Sequence, residues 1–166
     1  MTQPNILVIG YGNTIRSDDG IGPAVATEVE TWNLPNLKSL SLHQLTPELA
    51  AELATVKSAI FIDASIQTQS VEIIPLNPLT QTEMKWGHYL TPQSLLSLTQ
   101  QLYETIPQAW LISVPGRNLE LGESLSPQAK QGVDQALQWI KSFYFQSSQE
   151  LLKIDVSGNT VGFPRC

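Results

Sequence analysis

The chain has 166 residues, of which 42% are hydrophobic, and its formal net charge is -6 at pH 7. That length can bury one substantial core but not two, so we expect a single domain over 1–145 and a polar, mobile C-terminal tail over 146–166. The acidic balance excludes most nucleic-acid binding, because phosphate attraction depends on positive charge.

The chain carries a single cysteine, Cys166, so no intramolecular disulfide and no cysteine-rich metal cluster can form. The first residues are polar and lead directly into a short apolar run, unlike a signal peptide. No apolar run reaches the roughly 20 residues that a membrane-spanning helix needs. We therefore expect a soluble cytoplasmic protein without membrane contact, and a monomer.

Strand patterns and helix patterns alternate along the first half of the chain. Ile6–Ile9 is an unbroken apolar run before Gly10, which is typical of a strand buried on both faces of a parallel sheet. Apolar residues recur at helical spacing over 21–32. A second strand is predicted over 40–42, and a Thr-Pro pair, which supplies an N-cap and a first-turn proline, predicts a helix over 46–53.

The alternation continues in the second half. The apolar run 59–62 predicts a third strand, and 71–74 predicts a further strand at a sheet edge. Thr-Pro and Ser-Pro pairs predict helices that begin at Thr91 and Ser126, with a strand over 110–112 between them. Strands that alternate with helices predict the α/β class, here a three-layer α/β/α domain with a largely parallel sheet.

Candidate site residues follow the strands. The first strand leads into the loop 10–22, which carries four glycines and the adjacent carboxylates Asp18 and Asp19, and Asp63 ends the third strand. Ligands of open α/β sheets bind at this edge. Capping the next helix requires one carboxylate, which we assign to Asp18, and the glycines predict a close backbone approach. Asp19 and Asp63 are therefore the functional candidates, although Asp63 could instead accept loop hydrogen bonds.

Two other kinds of site have weaker support. The loop resembles a dinucleotide-binding glycine loop, but the third glycine is missing over 13–15, and two carboxylates would repel phosphate at the helix start. A serine triad lacks the Gly-x-Ser-x-Gly elbow, and Cys166 lies in the expected tail.

Imidazole chemistry must use His43 or His88, the two histidines of the chain. We prefer His88, because it lies in a long irregular stretch over 75–90, and such loops are often functional. Asp19, Asp63 and His88 together form a mixed oxygen and nitrogen set that suits a divalent first-row metal. Composition does not choose among nickel, zinc, iron and manganese.

These motifs resemble those of the [NiFe] hydrogenase maturation endopeptidases, which trim the hydrogenase large subunit after nickel insertion. The likeness covers about the first 140 residues. It rests on four motifs. A glycine, asparagine and double-acid signature lies at 6–13 and 17–22, and a second acidic motif lies at 61–64. A histidine motif lies at 88–90, and a late segment lies at 114–115 and 122–127. The pattern over 43–49 is most similar to the subgroup that serves bidirectional, NAD-linked hydrogenases.

The resemblance implies a five-stranded, phosphorylase/hydrolase-like sheet flanked by helices. It also implies nickel-binding roles for Asp19, Asp63 and His88, and a large-subunit precursor, already loaded with nickel, as the protein substrate. Nickel would then arrive with the substrate, and the free enzyme could be free of metal. Two departures stand out: Asp19 replaces the glutamate of many relatives, and His88 follows Asp63 more closely than in some.

The predicted activity is nickel-dependent endopeptidase cleavage of the precursor's C-terminal extension. The metal could polarise the scissile carbonyl or activate water. Alternatively, Asp19 and Asp63 could act on water directly, as the carboxylate pair of an aspartic protease does. A non-proteolytic nickel chaperone or checkpoint protein for the large subunit is the main alternative function, and a peptidase that acts on another protein is a third.

Overall fold

The computed structural model describes residues 5–80, 83 and 89–155, with side chains up to residue 150. The described part contains five strands, four α-helices and a 3₁₀ helix. In chain order these are β1 (Ile6–Tyr11), the 3₁₀ helix (Ser17–Gly20), α1 (Ile21–Thr31), β2 (Leu37–Leu42), α2 (Leu49–Leu53), β3 (Ser58–Ser65), β4 (Glu72–Leu76), α3 (Pro92–Tyr103), β5 (Gln108–Pro115) and α4 (Pro127–Asp155).

The strands form one five-stranded sheet in the order β2-β1-β3-β5-β4. The pairs β1 with β2, β1 with β3, and β3 with β5 are parallel, and β4 pairs with β5 in the antiparallel direction. The predicted α/β class and largely parallel sheet are confirmed, and β4 lies at a sheet edge as expected. Parallel strands end at the same edge of the sheet, so the loops after β1, β2, β3 and β5 converge there.

Two hydrophobic cores cover the two faces of the sheet, which makes the domain three-layered. On one face α1 and α4 pack against alternate strand residues; the fully buried members include Val8, Ile21, Val25, Ile60, Ile62, Ile112 and Ile140. On the other face α2 and α3 pack against the remaining strand residues; these include Leu7, Ile9, Leu53, Phe61, Leu95 and Leu96. The central strands are apolar on both faces because both faces are covered.

The helix starts follow the predicted caps in two cases. Thr91 accepts a hydrogen bond from the Ser94 N–H and forms a capping box with it, and Ser126 accepts one from the Ala129 N–H at 3.2 Å. Helix α4 continues to Asp155, so the expected boundary at residue 145 falls within a helix, while 156–166 lie outside the described residues. No helix in the described part combines the length and apolar character needed to cross a bilayer.

Candidate functional site

Close backbone packing places the predicted glycine loop at the carboxyl edge of the sheet. A Cβ atom on Gly22 would lie 2.5 Å from the carbonyl oxygen of Tyr11 and 2.6 Å from that of Ile62. A Cβ atom on Gly10 would lie 1.9 Å from the carbonyl oxygen of Gly22. The start of α1 therefore rests directly on the ends of β1 and β3. The close approach predicted for these glycines is therefore a contact between two segments of this protein's own backbone.

Asp19 and Asp63 face the same cleft at this edge. The cleft has a volume of about 750 Å³ and lies on the side of the sheet that α2 and α3 cover. Its walls come from the β1 loop, the segment after β2, the end of β3 and α3; they include Tyr11, Arg16, Asp19, His43, Asp63 and Tyr89. The structure thus brings together the two carboxylates that the sequence selected.

The Asp19 carboxylate is oriented by its own loop. Its Oδ2 atom accepts a hydrogen bond from the Asn13 N–H at 2.9 Å, and the side chain is half-buried. The Asn13 Oδ1 atom in turn accepts a hydrogen bond from the Ile15 N–H at 3.1 Å. This local network holds one carboxylate oxygen toward the protein, so Asp19 meets the cleft in a defined orientation.

Asp63 binds its proton more tightly than an ordinary aspartate. The pKa of Asp63 is raised to about 6. Burial at the end of β3 is the largest cause and the negative charge of Asp19 a smaller one, and together they outweigh the hydrogen bonds from the Tyr11 side chain and the Ala64 backbone, which lower the pKa. Burial and the Asp63 carboxylate raise the pKa of Tyr11, so its hydroxyl keeps its proton and can donate it in a hydrogen bond. A carboxyl that titrates near neutral pH is suited to proton transfer.

Tyr11 is a site residue that the sequence reasoning missed. The register pairs Gly10 with Ile62, so the next residues, Tyr11 and Asp63, lie side by side at the ends of adjacent parallel strands. Strand alternation also places both on the face that lines the cleft. The sequence does show a tyrosine between two glycines at the end of the first strand. It does not show the relative register of β1 and β3, which brings Tyr11 beside Asp63.

Asp18 does not cap α1, and this part of the prediction is wrong. No side chain caps α1 or the 3₁₀ helix before it, and Asp18 is instead fully buried beneath the segment that leads into α4. It accepts hydrogen bonds from the Arg117 and Asn118 N–H groups, both at 3.0 Å, and from the N–H and hydroxyl of Ser126 at 2.7 and 2.8 Å. Burial acts to raise the pKa of Asp18, but these hydrogen bonds outweigh it and lower the pKa.

The predicted histidine, His88, lies outside the described residues, so its placement relative to the carboxylates stays a prediction. His43 is exposed on the cleft wall. Within 5–80, 83 and 89–150, no group of three or more His, Cys, Asp or Glu side chains is arranged to hold a metal ion. A metal-binding role for Asp19, Asp63 and His88 therefore stays a prediction.

No protein-family model matches this chain, and neither does any curated protein. Its fold is similar to that of the hydrogenase maturating endopeptidase HybD from E. coli, with a TM-score of 0.69 and 20% identity over 86% of this chain and 93% of that one. The [NiFe] hydrogenase maturation protease HycI from Thermococcus kodakarensis KOD1 matches with a TM-score of 0.65 and 22% identity over 84% and 90% of the two chains. An endopeptidase from Escherichia coli matches with a TM-score of 0.67 and 24% identity over 86% and 93%. At these identities the likeness shows a shared fold.

Proposed function

We propose that this protein is an endopeptidase that removes the C-terminal extension from the large-subunit precursor of a [NiFe] hydrogenase. The observation that carries the proposal is the placement of Asp19 and Asp63 in one cleft, where burial and, to a smaller extent, the charge of Asp19 raise the pKa of Asp63. A carboxyl group with a raised pKa beside a second carboxyl group can serve as acid or base in hydrolysis. Solved structures with this fold come from proteins described as hydrogenase maturation endopeptidases, which supports the choice of substrate.

Asp63 is the proposed general base. Its carboxylate accepts a proton from water as the water oxygen attacks the carbonyl carbon of the scissile peptide bond. The C–N bond then breaks, and Asp63 returns the proton to the leaving nitrogen. The pKa of about 6 leaves Asp63 largely ionised near pH 7 while keeping its affinity for the proton high. Asp19, held by the Asn13 N–H, orients the water or the substrate beside it.

Nickel belongs to the substrate in this proposal. The precursor's own ligands hold the ion. Asp19, Asp63 and His88 engage its open positions during recognition, which precedes the proton transfer to Asp63, so that only a loaded precursor is positioned for cleavage. Carboxylate and imidazole groups are suitable ligands for nickel, and the pair of carboxylates in the described site supports this role. The inclusion of His88 follows from the resemblance of its motif.

Three further expectations accompany the proposal. The pattern over 43–49 supports a substrate from the bidirectional, NAD-linked hydrogenases. The single cysteine suits a reducing compartment, which supports action in the cytoplasm. We also expect the protein to act as a monomer.

A cleavage assay on purified precursor tests the proposal. The precursor is prepared with and without nickel, incubated with the wild-type protein, and analysed by intact mass spectrometry. We expect the nickel-loaded precursor alone to lose the mass of its C-terminal extension. An unchanged precursor mass despite tight binding would favour the nickel chaperone over the peptidase. Equal trimming of the two forms would show that cleavage does not require nickel.

A further inference from the structure

Tyr11 and Asp63 lie side by side on adjacent parallel strands, and both line the cleft. The register of β1 against β3 pairs Gly10 with Ile62, which brings the two following residues together. The Tyr11 hydroxyl donates a hydrogen bond to the Asp63 carboxylate. A phenol group is therefore held against the carboxylate that serves as the base in the proposed reaction.

Hydrolysis of a peptide bond creates a negative charge that the two carboxylates do not stabilise. When water attacks the carbonyl carbon, the carbonyl oxygen becomes an oxyanion, and a hydrogen-bond donor placed at that oxygen commonly makes a large contribution to the rate. An ionised Asp19 carboxylate only accepts hydrogen bonds. Asp63 keeps the proton that it takes from water for the leaving nitrogen. The site therefore needs a donor from another residue.

Tyr11 is the best placed donor in the part of the cleft that the structure describes. Arg16, His43 and Tyr89 also carry donors on the cleft wall, but all three are exposed, so water weakens the hydrogen bonds that they can make. The side chain of Asn13 is engaged by its own loop. Tyr11 is half-buried, and a donor in a site with little water stabilises an oxyanion more strongly.

The Tyr11 hydroxyl can remain a donor throughout the reaction. Burial and the Asp63 carboxylate raise the pKa of Tyr11 well above the ordinary range of a tyrosine, so the phenol keeps its proton near neutral pH. Tyr11 therefore does not compete with Asp63 for the proton of the attacking water.

The oxyanion forms within reach of this hydroxyl. The attacking water gives its proton to Asp63, so its oxygen lies about 3 Å from that carboxylate. The oxyanion is bonded to the carbon that this water attacks, and it is therefore close to Asp63 as well. Because the Tyr11 hydroxyl already hydrogen-bonds to Asp63, a small rotation can redirect its O–H toward the oxyanion.

We propose that Tyr11 is a catalytic residue whose hydroxyl moves its hydrogen bond from Asp63 to the oxyanion as water attacks. This inference rests on the proposed function. As the new C–O bond forms, water gives one proton to Asp63, and an electron pair of the carbonyl double bond moves to its oxygen. Negative charge leaves Asp63 and appears on the substrate, and the Tyr11 O–H follows it without losing its proton. When the C–N bond breaks, the oxyanion becomes a carbonyl again, and Asp63 returns its proton to the nitrogen.

Single-turnover trimming of nickel-loaded precursor over a range of protein concentrations tests the proposal. Tyr11→Phe removes the hydroxyl and keeps the ring, so we expect the maximal rate to fall by about 100-fold. The concentration that gives half of the maximal rate should change by less than about twofold, because the oxyanion is absent from the bound ground state. Tyr103→Phe, at a 46% exposed position on α3, is the matched control and should keep both values.

A second variant separates catalysis from positioning of Asp63. Incorporation of 3-fluorotyrosine in place of Tyr11 makes the hydroxyl a stronger donor with little change in size. If the hydroxyl donates to the oxyanion, the maximal rate should rise above that of the wild type, because the transition state gains more than the ground state. If Tyr11 acted only by holding Asp63, the stronger hydrogen bond would make Asp63 a weaker base, and the rate would fall.

The outcomes that contradict the proposal are distinct. A wild-type rate in Tyr11→Phe, or an unchanged rate with 3-fluorotyrosine, would show that the hydroxyl does not act on the oxyanion. A lower rate with 3-fluorotyrosine would make Tyr11 a positioning residue. Circular dichroism checks folding, and the fluorotyrosine comparison decides the question if Tyr11→Phe does not fold. A wild type that trims no precursor would overturn the proposed function, whereas normal trimming by both variants would overturn this inference alone.

Discussion

The backbone N–H and the hydroxyl of Ser126 both donate to the carboxylate of Asp18, although 108 positions separate the two residues in the sequence. The same carboxylate accepts hydrogen bonds from two backbone N–H groups in the loop after β5. Because Asp18 is adjacent to Asp19, this buried contact joins the start of α4 to the segment that carries a candidate catalytic residue. Asp18 is thus the anchor of the site.

The first prediction concerns the stability that Asp18 provides. Asp18→Asn removes the charge and turns an amide donor toward N–H groups that need an acceptor, so we expect a loss of about 2–5 kcal/mol in the free energy of unfolding. Urea denaturation monitored by circular dichroism measures the loss. Glu120→Gln, at an exposed position in the facing loop, should stay within about 0.5 kcal/mol of the wild type. An equally small effect of Asp18→Asn would show that the anchor is unimportant.

The second prediction concerns the titration of Asp63. NMR of the side-chain carboxyl carbon should give a pKa of about 6 in the free protein. Asp19→Asn should lower this pKa, because the negative charge of Asp19 raises it, and Tyr11→Phe should raise it, because the Tyr11 hydrogen bond lowers it. A pKa near 4 that neither substitution moves would mean that the three side chains do not share one environment.

The third prediction links the Asp63 pKa to stability. The folded-state pKa of about 6 lies above the unfolded value of about 3.9, so the unfolded state holds fewer protons between these values and stability falls as pH rises through them. Asp63→Asn should therefore be more stable than the wild type at pH 8, by about 1–3 kcal/mol, and the advantage should vanish near pH 4.

Thermal unfolding at several pH values measures this difference. Asp134→Asn, at an exposed position on α4, is the matched control and should show no such gain. A variant Asp63→Asn that is less stable than the wild type at pH 8 would mean that the ionised carboxylate is well solvated or well paired, contrary to the burial at the end of β3.

The fourth prediction concerns the packing of α1 on the strand ends. Gly22→Ala places a methyl group within 2.6 Å of backbone atoms of both Tyr11 and Ile62, and backbone cannot rotate away as a side chain can. We expect a loss of about 3 kcal/mol or more in the free energy of unfolding. Gly20→Ala is the control, since its nearest contact, the Thr14 Cα atom, is 3.3 Å away and a smaller loss should follow. Similar losses in both variants would argue against the close approach of α1.

Much of the fold could be predicted because local chemistry determines it. Strands buried on both faces have unbroken apolar sequences, and the Thr-Pro pair at Thr91 marks the start of α3 through its capping geometry. The position of Asp63 at the carboxyl end of a strand was enough to predict its place at the carboxyl edge of the sheet. Asp19 was selected by elimination, on the incorrect expectation that Asp18 caps α1. Asp18 has a different structural role, as the acceptor for the segment that leads into α4.

The rest depends on contacts between distant segments. To predict the role of Asp18, one would have to know that the loop before α4 folds over the 3₁₀ helix. The hydrogen-bond partners of Asp18 are far from it in the sequence. The pairing of Tyr11 with Asp63 required the register of β1 against β3. The placement of His88 depends on a segment outside the described residues, so it stays a prediction.

The most direct test of the central claim compares the two carboxylates in one cleavage assay. Nickel-loaded precursor is incubated with the wild type, Asp19→Asn, Asp63→Asn and the surface control Asp134→Asn, and intact mass spectrometry follows the loss of the C-terminal extension over time. If Asp19 and Asp63 form one catalytic site, each site variant should trim at least about 100-fold more slowly than the wild type, and the control should trim normally. Trimming at the wild-type rate by either site variant would contradict the account.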